Sequence, residues 1–154
     1  MANEPRIDIA SRVIGASAEV VYAAFADPAA WEQWLPPTGM TGKIQEFDFR
    51  EGGCYRLTLH YTDGSGSGKT TAEEDVSEGT FVELVPNQRV VQRIVFESDD
   101  PAFAGEMRMI WEIKPYNNGV RVTFSAHNVP EGISPVDHAI GLQSTLENLA
   151  RFVE

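Results

Sequence analysis

The chain has 154 residues, of which 42% are hydrophobic and 23% charged, the balance of a soluble globular protein and a length that suits a single domain over 1–154. A formal net charge of −11, with twelve lysines and arginines scattered singly, sets the chain against phosphate backbones, so no nucleic-acid partner is expected. No stretch reaches the roughly 18 apolar residues of a membrane span, the opening MANEPRIDIA lacks a signal-type apolar run, and the lone Cys54 cannot form an internal disulfide, all of which points to a cytoplasmic protein.

Along RIDIASRVI, apolar Ile7, Ile9 and Val13 alternate with polar residues, which predicts a strand with one face buried. In ASAEVVYAAFAD, Ser17 can cap a helix, Glu19 suits its positive end, and Val20, Val21, Ala24 and Phe25 form the apolar stripe. Pro28 can open a second short helix, PAAWEQWL, which Pro36-Pro37 must end. The period then changes to two. GKIQEFDF reads as a strand, Glu51-Gly52-Gly53 as a tight turn, and CYRLTLHY as a strand with Tyr55, Leu57, Leu59 and Tyr61 on one face. Cys54 reads as a small residue packed in that strand. SEGTFVELV, RVVQRIVF, GEMRMIWEIKP and VRVTFSAH follow as strands, separated by Pro86-Asn87, by a loop over 98–104 and by Asn117-Asn118-Gly119. Gaps of hairpin length imply an antiparallel sheet. Ser134-Pro135 with Asp137 marks a helix start. That last helix should run nearly to Glu154, about 28 Å at 1.5 Å per residue. Val136, Ala139, Ile140, Leu146, Leu149, Ala150 and Val153 supply the apolar face that would cover the sheet.

DGSGSGKTT, residues Asp63 to Thr71, ends like a phosphate-binding loop. The motif needs a glycine where Asp63 stands, and it must open a helix whose free N–H groups hold the phosphates. Here TAEEDVSEGTF follows, carrying Glu73, Glu74 and Asp75 into a strand. The stretch reads as a mobile, dispensable hairpin connection, not a nucleotide site.

The order of strand, two short helices, six-strand meander and long terminal helix resembles the helix-grip fold of the START-like, or SRPBCC, superfamily. SRVIGASAEVVYAAFADPAAWEQWLPP, FREGGCYRLTL, GTFVELVPNQRVV and GLQSTLENLARFV are each similar to motifs of the branch named for the activator of the heat-shock protein 90 ATPase. Leu142 stands where that branch usually has tryptophan. The resemblance implies an α+β fold: a curved antiparallel sheet of about seven strands wrapped on the C-terminal helix, with two short helices after the first strand. It also implies a cavity between sheet and helix that holds a hydrophobic small molecule. A chaperone-related interaction module, as homodimer or with a protein partner, is the alternative, and a cyclase or hydrolase in the same cavity is another.

Candidate ligand-binding residues follow from strand parity and from the resemblance. Met109 and Trp111 lie on the inward face of their strand, and Tyr55 and Leu57 on that of theirs. Trp34 would close one end of the cavity, His138 could stand at its mouth, and Leu142 would leave volume on the terminal helix. His60 and His127 point outward by parity, as do Glu83 and Glu112. No metal spacing, nucleophile elbow or cofactor motif occurs, so catalytic residues, metal and cofactor are all expected to be none.

Overall fold

A computed structural model describes residues 6–36, 39–62 and 74–154. Its strands are β1 (Ile7–Ile14), β2 (Met40–Gln45), β3 (Cys54–Tyr61), β4 (Glu74–Val85), β5 (Arg89–Phe96), β6 (Glu106–Tyr116) and β7 (Gly119–His127). Its helices are α1 (Ala18–Ala23), α2 (Pro28–Trp34) and α3 (Pro135–Val153). All seven strands join one antiparallel sheet in the order β1-β7-β6-β5-β4-β3-β2. The chain thus runs as a meander from β2 to β7 and closes on its own first strand. The Asp63–Thr71 stretch falls outside the described residues.

Local chemistry sets the element ends. Ser17 Oγ accepts from the Val20 N–H at 3.2 Å, Asp27 Oδ1 from the Ala29 N–H at 3.0 Å, and Ser134 Oγ from the Asp137 N–H at 3.4 Å, so each helix starts at a side-chain cap. Asn87 and Asn117 take φ of 65° and 51° in the β4–β5 and β6–β7 turns, a region asparagine tolerates better than branched residues. Glu46, at φ 54°, ends β2 earlier than the alternation in GKIQEFDF predicts. Residues 46–53 instead fold into turns, with the Gly53 N–H donating to Arg50 O at 2.8 Å.

Two sequence expectations are overturned on the first strand and the last helix. In β1, Ile7, Ile9 and Val13 are 55%, 63% and 45% exposed, while Ala10 and Ile14 are buried. The helix lies against the opposite face, where the small Ala10 lets it come close. On α3, Val136 and Ile140 are 68% and 63% exposed. At 100° per residue Ile140 sits across the helix from Leu142, Leu146 and Leu149, which are buried with Thr145 and Ala150, whereas Val136 is on the Leu146 side but in the first turn, where 134–137 are all exposed. The covering face is therefore confined to the last three turns. Cys54 is exposed on β3 instead of packed.

The core gathers Phe25, Trp31, Trp34, Phe81, Trp111, Ile14, Leu146 and Leu149, all essentially without solvent contact. Full burial of a leucine stabilises by about 1.5–3 kcal/mol, so α3 is fixed largely by Leu146 and Leu149. Two polar contacts add position: Thr145 Oγ1 donates to Leu35 O at 3.0 Å and Asn148 Nδ2 to Pro36 O at 2.9 Å. These tie α3 to the end of α2.

Candidate functional site

The concave face of the sheet carries a chain of buried polar groups inside an aromatic enclosure. Tyr55 on β3 lies directly opposite Gly79 on β4, and its ring covers that glycine. A Cβ at position 79 would fall inside the Tyr55 ring, so only glycine lets the phenol lie flat across the strand. The Tyr55 hydroxyl accepts from Gln92 Nε2 at 3.1 Å, and Gln92 Oε1 accepts from Trp111 Nε1 at 2.9 Å. Gln92 is 2% exposed, as is Tyr55, and Trp111 is 1% exposed. Burial pushes the Tyr55 phenol above its ordinary value, so it stays a neutral O–H near pH 7. Among the described residues that O–H meets no hydrogen-bond acceptor of its own.

Aromatic rings enclose this chain. Trp111 stacks on Phe124 with centroids 3.5 Å apart and meets Trp34 edge to face at 5.6 Å. Tyr55 touches Trp31 at 5.3 Å and Phe81 at 5.2 Å. The indole donors of Trp31 and Trp34 are tied to Phe25 O and Ala24 O, at 2.8 and 3.1 Å. Two apolar clusters meet beside the chain. One contains Trp34, Tyr55, Leu57, Trp111 and Leu142; the other contains Ile94, Met107, Ala126, Val129 and Ile133. Half-buried Met109 packs against both and is the direct cross-strand neighbour of Gln92.

Six of the seven residues singled out in the sequence, Trp34, Tyr55, Leu57, Met109, Trp111 and Leu142, come together in this enclosure. His138 does not. Its Nδ1 lies 2.6 Å from Asp8 Oδ2, and Asp8 is also held by Arg6 through Nε at 3.1 Å and Nη2 at 2.7 Å. Arg6 Nη1 donates to Ile133 O at 2.5 Å, which joins the start of β1 to the approach to α3. The Arg6 hydrogen bonds, helped by His138, hold the Asp8 carboxyl below its ordinary value against the opposing effect of burial. Sequence reasoning passed over Gln92, although its place between Val90 and Ile94 in RVVQRIVF gives it inward parity. It also passed over Gly79, whose role depends on a ring from the next strand. Among the described residues, no three His, Cys, Asp or Glu side chains gather into a metal site, and no helix is long and apolar enough to cross a membrane.

Comparison with known proteins agrees with this geometry. The family model for activator of Hsp90 ATPase homolog 1-like proteins matches residues 15–154. Protein CV1439 from Chromobacterium violaceum is 31% identical and superposes with a TM-score of 0.85, covering 96% of each chain. Protein NE0264 from Nitrosomonas europaea, at 19% identity, covers 95% of this chain and 92% of its own with a TM-score of 0.71. DynU16, a protein of the dynemicin biosynthetic locus, is 18% identical with a TM-score of 0.67, over 95% of this chain and 46% of its own. The last two show the fold alone. No match was found among curated proteins. With its seven-stranded helix-grip sheet and a match over nearly its whole length, the chain belongs to the activator of Hsp90 ATPase homolog 1-like family of the SRPBCC superfamily.

Proposed function

We propose that the protein binds a small apolar molecule carrying one hydrogen-bond acceptor, held between the concave sheet face and α3. The observation that carries this reading is the Tyr55 hydroxyl: a buried donor, oriented by Gln92 and left without an acceptor among the described residues. The Tyr55 oxygen already accepts from Gln92, and a ligand carbonyl or ether oxygen would give its O–H a second hydrogen bond. Met109 is the residue to move aside, because an unbranched thioether at the seam of two clusters repacks easily. Leu142, where the family resemblance implies a larger tryptophan, is buried in the same cluster, so added bulk there should compete with a ligand. The family fold supports such a module. A cyclase or hydrolase reading fits less well, since the titratable group of this enclosure is a phenol held neutral.

The test is native mass spectrometry of co-purifying small molecules, followed by titration with an apolar fluorescent probe. The parent should bind the probe, and Leu142→Trp should weaken it by about tenfold, the equivalent of 1.4 kcal/mol. Failure of the folded parent to bind any apolar probe overturns the reading.

A second reading, a protein-interaction module, rests on exposed Val136 and Ile140 of α3, at 68% and 63%. The family name supplies the partner to try, an Hsp90-type ATPase. Under this reading the protein stimulates that ATPase, and Ile140→Lys abolishes the effect.

A further inference from the structure

The strand register assembles a basic row that the sequence scatters. Across the convex face, Cys54, Thr80, Arg93, Arg108, His127 and Ile7 are successive direct cross-strand neighbours from β3 to β1. Directly opposed side chains stand about 4.5–5.5 Å apart at Cβ, and like charges there are destabilising. Other arginines on this face avoid this. Arg56 faces Glu78 and is also paired with Glu97; Arg89 faces Glu112 and is also paired with Glu83. In the basic row, Arg93 faces Arg108, and Arg108 faces His127. Glu106 reaches Arg93 only at 3.8 Å, and Arg108 forms no ion pair among the described residues.

These side chains line a cleft of about 520 Å³ whose walls include Ile7, Arg93, Glu106, Arg108, His127 and Asn128. Two arginines against one carboxylate leave one positive charge unbalanced among the lining Arg and Glu side chains. A protein of net charge −11 thus concentrates positive charge at a concave place beside apolar surface, since Ile7 and Ile9 are 55% and 63% exposed. The planar fork of a guanidinium matches a carboxylate bidentately, and an ammonium would not. We propose that this cleft binds an organic carboxylate, its head held by Arg93 and Arg108 and its apolar body lying along Ile7 and Ile9. The site lies on the opposite face of the sheet from the Tyr55 enclosure and stands independently of it.

Octanoate, n-octanol and inorganic phosphate serve as probes at matched ionic strength, with amide NMR shifts and calorimetry on the full chain. Octanoate should shift the Arg93, Arg108 and His127 amides saturably and raise the melting temperature. Arg108→Gln and Arg93→Gln should each weaken it by about tenfold or more, the loss expected for one charge-assisted contact. Arg121→Gln should leave binding unchanged, because Arg121 lies over the Tyr116 ring, away from the cleft. Both glutamine variants relieve like-charge repulsion on an exposed face, so each should melt at or above the parent. Unchanged octanoate affinity in Arg108→Gln, or shifts centred on Tyr55 and Met109 instead, overturns the proposal. Phosphate binding as tight as octanoate overturns the assignment of an organic ligand.

Discussion

At position 79 a missing side chain decides where a large one goes. The Tyr55 ring occupies the space above Gly79, and this places its hydroxyl beside Gln92. Gly79→Ala should therefore destabilise by about 1–3 kcal/mol, the usual cost of forcing an extra carbon into a packed interior. In a Tyr55→Ala background the same change should cost almost nothing, since the ring it meets is gone. A double-mutant cycle in urea checks this, and additivity within about 0.5 kcal/mol would separate the two residues. Gln92→Leu tests the next link. It removes the acceptor of Trp111 Nε1 and the donor to Tyr55, leaving an orphaned indole N–H in the core. The expected loss is about 1–3 kcal/mol, and a melt within about 0.5 kcal/mol of the parent would mean that the buried amide is replaceable by apolar packing.

Between β1 and α3 the chain is joined by charge at one end and by packing at the other. The folded Asp8 carboxyl sits below its ordinary value because of the hydrogen bonds from Arg6 and His138. A depressed carboxylate stabilises the fold in full above its unfolded value, about 3.9, and the contribution fades as pH falls through the folded value. Asp8→Asn should thus lower the melting temperature at pH 7, and the gap to the parent should close as the pH is taken towards 2. A gap that stays constant over that range would show that Asp8 acts through shape alone. On the packed end, Leu146→Ala or Leu149→Ala should cost about 2–5 kcal/mol, whereas Val136→Lys should stay within about 0.5 kcal/mol of the parent in the same urea melts. These two elements also show what a sequence can and cannot reveal. Periodicity located β1 and α3, and Ser134-Pro135 located the helix start, because these are local signals. Which face is buried depends on the partner. The isoleucines of β1 have the stronger alternation, yet the helix lies on the side of Ala10 and Ile14. Val136 and Ile140 are as apolar as Leu146, yet nothing in the fold covers them. Inward parity found Tyr55, Leu57, Met109 and Trp111 because β3 and β6 are regular. The basic row stayed hidden because it is a property of register, with Arg93, Arg108 and His127 on three different strands.

The whole molecule is closed by its most distant pairing. Ile14 on β1 is opposite Val120 on β7, whereas the β6–β7 and β4–β5 hairpins close over turns of a few residues at Tyr116–Gly119 and Val85–Arg89. Loop-closure entropy must be met before a long-range contact gives any return, so the local hairpins should form first. β1 then adds to the free edge of β7, and α3 docks on it through Ala10 and Ile14. Ile14 is fully buried, so Ile14→Ala should destabilise by about 2–5 kcal/mol. If β1 docks after the folding barrier, nearly all of that loss falls on the unfolding rate, and the refolding arm of the chevron hardly moves. Val122→Ala, inside the β6–β7 hairpin and equally buried, should instead slow refolding measurably. Stopped-flow refolding of the two variants by tryptophan fluorescence gives the comparison directly, since Trp111 lies in the same core cluster as both sites. Equal slowing of refolding in the two would place β1 within the folding nucleus and reverse the order inferred from topology.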